Sequence, residues 1–126
     1  MNDSLIRERF AVMNNAYSKY SFEYFLSSME RLRLNKSDLW VGVQHFNVLD
    51  ATPQSVDRFG KRLRAHGMKA VAYTPEILGY PLNFASPDTF VRGRSIAYGI
   101  KNLEIAAALE IPLMLTNPGW ACLDQS

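Results

Sequence analysis

Residues that could bind a small molecule are concentrated in four loops, each of which follows a short apolar run. The loops read NNAYSKY, QHFNVLDA, PEILGYPLNFA and NPGWACLDQS. They supply amide, imidazole, phenol, indole and carboxylate groups, which hydrogen-bond and stack. None of them contains a glycine-rich phosphate motif of the G-x-G-x-x-G or P-loop type. The sequence therefore predicts a site that recognises its ligand by hydrogen bonds and stacking rather than through a phosphate-binding motif.

His45 and Glu76 carry the most versatile side chains of these loops. The imidazole of His45 could hydrogen-bond a ligand hydroxyl at the mouth of the fold, or it could be a loop histidine in solvent. Within the candidate loops, Glu76 is the carboxylate that lies between Asp50 and Asp88 in the sequence. It could bind hydroxyls or an amine, or it could be solvated, and the sequence leaves both alternatives open.

Tyr73, Tyr80 and Asn83 are better placed to line a pocket than to move protons, since an unperturbed tyrosine pKa near 10 suits donation and stacking at neutral pH. Trp120 offers an apolar platform for a ligand face. Alternatively, the two tyrosines and Asn83 pack the loop around Pro75 and Pro81. No catalytic residue is predicted, and no His, Cys or carboxylate group shows metal-ligand spacing.

Short β-prone runs alternate with helical patterns along the chain. Strands are predicted at 9–15, 38–43, 69–74 and 111–116. Helices are predicted from Ser21 to about Leu34, from Thr52-Pro53 to His66 with Gly67 as a stop, and from Ser86-Pro87 to Leu109. The third helix is expected to bury its apolar residues, which are Phe90, Ile96, Ile100, Leu103 and Ala107. The order β-α-β-α-β-α-β with near-continuous apolar strands predicts an α/β fold with a parallel sheet.

The composition is that of an ordinary globular domain. The chain has 126 residues, of which 48% are hydrophobic, and its 14 basic and 12 acidic residues give a net charge of +2. This balance lacks the basic stripe that nucleic acid requires, and no apolar run is long enough to span a membrane. One cysteine, Cys122, and a charged start without a signal-peptide pattern predict a cytoplasmic protein.

Two parallel architectures begin with this order of elements. An open doubly wound sheet is complete at about this length, whereas a (β/α)₈ barrel needs about 250 residues and would be cut at its midpoint. A receiver-type open sheet is weakly supported, because only Asp38 and Asp50 lie near strand ends as acidic metal ligands. Periodicity alone does not separate the two architectures.

The string from Tyr73 to Asn83, YTPEILGYPLN, resembles the strand-three loop of the sugar phosphate isomerase/epimerase family, especially fructoselysine 3-epimerase-like members. SDLWVGVQHF resembles the second strand and its loop in that family. RGRSIAYGIKNLEIAAALEIPLMLTNPGW resembles the third helix, the fourth strand and the following turn. The resemblance covers roughly residues 10–120. It implies a xylose-isomerase-like TIM barrel that interconverts sugars through an enediolate with a divalent metal, Mn, Mg or Co.

In that family, the metal is held by two Glu, one Asp and one His at the ends of strands five to eight, and the glutamates also act as acid and base. The resemblance therefore implies that residues 1–126 form a single truncated barrel domain, the amino-terminal half of a sugar, sugar phosphate or fructosamine isomerase or epimerase. This half would supply substrate-binding loops, and by itself it would hold no metal and be inactive.

Two alternatives come from a different class of function. In one, the chain is a binding or assembly module whose open sheet pairs with a second copy or with a missing carboxyl-terminal half. In the other, it is an inactive truncated product.

Overall fold

A computed structural model describes residues 6–42 and 44–120. Three strands and three helices alternate along the chain, with one 3₁₀ turn after the first strand. They are β1 (Val12–Met13), the 3₁₀ turn (Asn14–Tyr17), α1 (Phe22–Leu32), β2 (Lys36–Val41), α2 (Pro53–Ala65), β3 (Lys69–Pro75) and α3 (Thr89–Ala108). The predicted sequence of elements is confirmed up to the third helix.

The three strands form one parallel sheet in the order β1-β2-β3. After each strand, a helix returns the chain to the end of the sheet at which that strand began, so the next strand runs parallel to it. This is the repeating βα unit of α/β folds. In the β2–β3 register, Leu39 lies beside Tyr73 and Trp40 beside Thr74, with an irregularity between Ser37 and Asp38. The expected α/β class with a parallel sheet is confirmed.

The helices begin where side chains cap them. Ser21 accepts the N–H of Tyr24, and Thr52 and Ser55 form a reciprocal capping box at the start of α2. Gly67 follows α2 with φ +63°, which confirms the predicted stop. The third helix begins two residues later than predicted, since its cap is Asp88, whose carboxylate accepts the N–H groups of Phe90 and Val91.

The core lies between the sheet and the helix layer. Phe22, Phe25 and Met29 of α1 pack with Leu39 and other buried residues. The apolar stripe of α2 is buried as well, namely Val56, Phe59 and Leu63. Leu32, the last residue of α1, is half exposed.

The burial predicted for α3 is wrong. The expected core residues Phe90, Ile96, Ile100, Leu103 and Ala107 are all exposed. The face turned towards the protein is partly polar, and it carries Ser95, Tyr98, Asn102, Ile105 and Ala106. The reason is that hydrogen bonds hold this face to the sheet and to the loop after β3, as described below, so the apolar stripe points outward.

The fourth predicted strand, 111–116, is reduced to one parallel bridge between Met114 and Tyr73. The backbone N–H of Tyr73 donates to the carbonyl of Leu113 at 2.8 Å, and the backbone carbonyl of Tyr73 accepts the N–H of Leu115 at 2.9 Å. The segment thus lies beside β3, as a fourth strand would, without forming a regular strand. The first strand is also shorter than the predicted 9–15, because Asn14–Tyr17 turn into the 3₁₀ helix.

Parts of some predictions lie outside the described residues, namely Val43 at the end of the second predicted strand and Cys122 in the last loop. Among the helices that the structure does describe, none combines the length and the apolar character needed to cross a membrane.

Candidate functional site

A cavity of about 190 Å³ opens at the carboxyl ends of β2 and β3, and it is lined by Trp40, Gln44, Glu76, Gly79 and Tyr80. The carboxyl ends of parallel strands are where α/β folds place ligand sites, because the loops that follow the strands converge there. Glu76 is the first residue after β3, and Trp40 is the penultimate residue of β2. This cavity is the candidate functional site.

The carboxylate of Glu76 is fixed at this end of the sheet by two N–H donors. One oxygen accepts the backbone N–H of Gly79 at 2.7 Å, and the other accepts the indole Nε1–H of Trp40 at 3.1 Å. The backbone is held as well: the N–H of Glu76 donates to the carbonyl of Val41, and its carbonyl accepts the hydroxyl of Tyr98, both at 2.9 Å. A half-buried carboxylate held in this way keeps unused lone pairs that can accept hydroxyl or ammonium protons of a ligand.

Tyr80 stands beside Glu76 and lines the same cavity. Burial and the nearby negative charge of Glu76 raise the pKa of its phenol. The hydroxyl is buried and has no hydrogen-bond partner within residues 6–42 and 44–120. Tyr80 therefore stays neutral at physiological pH, and its ring contributes an apolar wall to the cavity.

His45 is buried, which corrects the expectation that its imidazole faces a ligand or solvent. Its Nδ1 lies 2.7 Å from the side-chain nitrogen of Asn14, and its Nε2 lies 3.0 Å from the carbonyl of Tyr20. Because an amide nitrogen can only donate and a carbonyl can only accept, Nδ1 accepts from Asn14 and Nε2–H donates to the carbonyl of Tyr20. Both ring nitrogens are thus occupied within the protein, and His45 supports the loop rather than a ligand.

Tyr73 is fully buried, which corrects its predicted role as a pocket-lining residue. Its hydroxyl donates to Asn102 of α3 at 2.8 Å, and the amide of Asn102 donates to the carbonyl of Tyr98. Successive side chains of a strand point to opposite faces, so Tyr73 faces the helices. The neighbouring Thr74 bonds Asp38 on β2 instead.

The buried tyrosines give the protein a specific sensitivity to alkali. Burial raises the pKa of Tyr98 to about 12 and raises that of Tyr73 further. Unfolded tyrosines ionise near 10, so above pH 10 the unfolded state releases protons that the native state keeps, and stability falls as pH rises. We expect the free energy of unfolding to be flat in this respect below pH 9 and to decrease above pH 10 by up to about 1.4 kcal/mol per pH unit for each buried tyrosine.

Urea denaturation at pH 8 to 11.5 measures this effect. The Tyr73→Phe variant should show a shallower decrease, whereas Tyr20→Phe, which removes an exposed phenol, should follow the wild type. An identical slope in wild type and Tyr73→Phe would show that Tyr73 ionises equally in both states.

Asn83 and Trp120 come together at a second place, apart from the residues that line the cavity. The amide nitrogen of Asn83 donates to the carbonyl of Trp120 at 2.9 Å, and its oxygen accepts the N–H of Trp120 at 3.2 Å. The approach is so close that a Cβ at Gly119, where φ is +103°, would lie 2.1 Å from that oxygen. Asn83 therefore fastens the loop after β3 to the segment beyond Met114, and the indole of Trp120 remains 60% exposed.

Three residues of the cavity, Trp40, Gln44 and Gly79, are missing from the predicted set of ligand-binding residues. Trp40 is only 7% exposed, and its indole N–H reaches Glu76. The structure shows how the indole is accommodated: a Cβ at Gly42 would lie 2.5 Å from it, so the ring is packed over a glycine near the strand end.

Asn14 connects the end of β1 to the residues around the cavity. It is fully buried, its oxygen accepts the N–H of Trp40 at 2.7 Å, and its nitrogen donates to the carbonyl of Trp40 at 2.8 Å. The same nitrogen also reaches His45. Asn14 thus joins the end of β1 to the Trp40 backbone, and thereby positions the indole that holds Glu76.

The residue types do not fit a metal site in the part of the chain that the structure describes. In that part, no three His, Cys, Asp or Glu side chains are grouped so that they could hold an ion. Asp38, the acidic residue of β2, instead accepts the hydroxyl of Thr74 at 2.7 Å. The cavity around Glu76 accordingly offers hydrogen bonds and apolar walls as its means of recognition.

Comparison with known proteins gives a structural likeness but no match in sequence. No family model and no curated protein matches the sequence. Among solved structures, the chain is similar to D-psicose 3-epimerase, determined in the presence of D-fructose, with a TM-score of 0.63 and 15% sequence identity. The match covers 92% of this chain and 40% of that protein, so the chain spans less than half the length of the structure it resembles. The likeness shows that the parallel βα units have the fold of part of a (β/α)₈ barrel.

Proposed function

We propose that this chain supplies substrate-binding strand-end loops of a sugar, sugar phosphate or fructosamine isomerase or epimerase that acts through an enediolate. The observation that carries the proposal is the Glu76 carboxylate, fixed between the N–H groups of Trp40 and Gly79 in the strand-end cavity. A fixed acceptor beside aromatic walls suits a polyhydroxylated ligand, whose hydroxyls donate to the carboxylate while its C–H faces pack on the rings. The likeness to a ketose epimerase structure supports the same class of ligand.

The residues of this chain bind and orient the substrate in the proposed reaction, and they do not move its protons. Glu76 already accepts two hydrogen bonds, which hold its carboxylate in place as an acceptor for substrate hydroxyls. Tyr73 and Tyr98 are buried and have raised pKa values, so neither would serve as a base at neutral pH. Proton removal beside the carbonyl, and the divalent metal of such an enzyme, would therefore be supplied by groups other than the described residues.

An assay of the purified chain tests the proposal in two steps. D-fructose, D-psicose and a fructosamine are titrated calorimetrically, and the same ketoses are then incubated with Mn²⁺, Mg²⁺ or Co²⁺. We expect weak binding, in the millimolar range typical of a partial site with few contacts, and no turnover. Robust turnover would contradict the claim that the proton-transfer groups lie elsewhere. Absence of ketose binding would contradict the assignment of the cavity.

A second candidate function is a non-catalytic assembly module. The observation that favours it is the exposed apolar face of α3, which a folded domain normally covers with protein. This candidate function does not depend on Glu76, so the result of the ketose titration neither supports nor contradicts it.

A further inference from the structure

A groove of about 410 Å³ runs along α3, between this helix and the loops that follow β2 and β3. We call it the α3 groove. Its size falls within the range of small-molecule sites, about 300 to 1,000 Å³. Its walls are mainly apolar side chains, namely Leu49, Tyr80, Pro81, Leu82, Ala97 and Tyr98.

Arg94 and Lys101 add two cationic side chains to this lining. They are seven residues apart, which is about two turns of helix, so they lie on the same side of α3 and about 10 Å apart along its axis. Ala97 and Tyr98 lie between them on the same side. The floor of the α3 groove is thus apolar, with a cationic side chain towards each end.

Both cations are held in place by neutral groups. The guanidinium of Arg94 donates to the carbonyl of Pro81, and the ammonium of Lys101 donates to the carbonyl of Leu49 at 2.8 Å. The guanidinium also lies over the ring of Phe90, 5.7 Å from its centre. Within residues 6–42 and 44–120, neither cation forms an ion pair with a carboxylate. Arginine carries five N–H donors and lysine three, so each keeps donors that a ligand can use.

No acidic side chain lines the α3 groove in the described part of the chain. Glu104 follows Lys101 by about one turn, but it lines the separate groove between α2 and α3, which Lys101 also borders. Glu76 lines the strand-end cavity instead. The lining of the α3 groove therefore carries positive charge without a compensating negative charge, and it attracts an anion.

The two kinds of lining together select one class of ligand. A neutral apolar molecule would cover the walls and leave both cations without a partner. A small inorganic anion would pair with a cation and leave the apolar walls in water. An organic carboxylate with an aliphatic or aromatic body satisfies both, because its body removes apolar surface from water and its carboxylate accepts charge-assisted hydrogen bonds.

The α3 groove lies on a different side of the helix from the exposed apolar stripe. At 100° per residue, the groove residues of α3 are centred about 140° around the helix from Ile96, Ile100 and Leu103. Protein that covered the stripe would therefore leave the groove open. Both walls of the groove are supplied by α3 and the two preceding loops, so the groove is complete without a further helix.

We propose that the α3 groove binds a small organic carboxylate, whose carboxylate group pairs with Arg94 and whose apolar body lies along Ala97 and Tyr98 towards Lys101. The planar guanidinium can donate two parallel hydrogen bonds to a carboxylate, which the ammonium of Lys101 cannot. This inference is independent of the proposed sugar function, because Glu76 and Trp40 do not line the groove.

NMR titration of the ¹⁵N-labelled full chain with hexanoate tests the inference. We expect saturable shifts of the Ala97 and Tyr98 amide signals, with a dissociation constant in the millimolar range typical of a ligand with so few atoms. Hexanol keeps the apolar body without the charge, and acetate keeps the charge without the body, so each should bind at least about tenfold more weakly. Equal binding of hexanol would overturn the assignment to an anion. Equal binding of acetate would overturn it as well, since it would show an adventitious ion only.

Two variants locate the ligand. Arg94→Gln should weaken hexanoate binding by at least about tenfold, and Ala97→Glu should abolish it, because a carboxylate on the floor repels the ligand. Both positions are exposed, so the fold should persist, which circular dichroism checks. Arg58→Gln is the matched control: it removes the same charge from an exposed position on α2, outside the groove, and should leave the affinity unchanged. Hexanoate binding that survives both groove variants, or a wild-type chain without saturable shifts, would overturn the proposal.

Discussion

Replacing Asn14 with alanine is expected to lower the free energy of unfolding by about 3 to 5 kcal/mol. The side chain is fully buried and serves three groups: the N–H and carbonyl of Trp40 and the Nδ1 of His45. Alanine fills none of these roles. Each group would remain buried without its partner, and each such loss costs about 1 to 3 kcal/mol.

Equilibrium urea denaturation, followed by circular dichroism, measures the effect of Asn14→Ala. The matched control is Asn35→Ala, which removes an exposed amide at the other end of β2 and should change stability by less than about 0.5 kcal/mol. A loss below about 1 kcal/mol for Asn14→Ala would mean that water or a rearranged His45 replaces the amide.

Replacing Glu76 with alanine is expected to weaken ketose binding by at least about tenfold while the fold persists. The carboxylate is the charged acceptor of the cavity, and hydrogen bonds to a charged group are worth about 1.5 to 3 kcal/mol each. Its side chain is only partly buried, so the loss should fall mainly on the ligand rather than on stability. Glu76→Gln should give an intermediate result, because it keeps an acceptor but loses the charge.

Calorimetric titration with D-fructose at constant pH measures the loss. Asp57→Ala is a suitable control, since Asp57 is an exposed carboxylate on α2 that pairs with Lys61, and its removal should leave ketose binding unchanged. Equal affinities in wild type and Glu76→Ala would show that sugars bind at another place or only nonspecifically.

The elements that the sequence predicted well are those decided by local chemistry. A Ser or Thr cap, a proline at the first helical position and a glycine with positive φ each act within one turn of helix, so Ser21, Thr52-Pro53 and Gly67 were placed correctly. The short first strand and the irregular segment around Met114 depend on neighbours across the sheet, which a pattern along the chain does not contain.

The reversed orientation of α3 has a physical reason. An apolar stripe shows that one face of a helix contacts protein, but it does not show which protein. In α3, the contact with the sheet is made through a hydrogen-bonded face with Tyr98 and Asn102, and the apolar stripe is left for a further surface. The burial of these polar side chains cannot be predicted from the helix sequence alone, because it depends on the hydrogen bond with Tyr73 on the sheet.

The candidate site was only partly predictable for a related reason. The string that begins at Tyr73 includes Glu76 and Tyr80, which line the cavity. Tyr73 belongs to the same string, but its side chain lies on the opposite face of the sheet. Both ring nitrogens of His45 form hydrogen bonds within the protein. Composition of a loop thus identified the region, whereas the direction of each side chain required the fold.

The indole N–H of Trp40 allows the most direct test of the central claim, that the cavity around Glu76 binds sugars. This proton points at the Glu76 carboxylate, so its resonance in ¹H–¹⁵N NMR spectra should respond to any hydroxyl that joins the same carboxylate. The account predicts a saturable shift of the Trp40 indole signal on titration with D-fructose, and loss of that saturable response in Glu76→Ala. A Trp40 signal that does not move, or that moves equally with glycerol as the added solute, would contradict it.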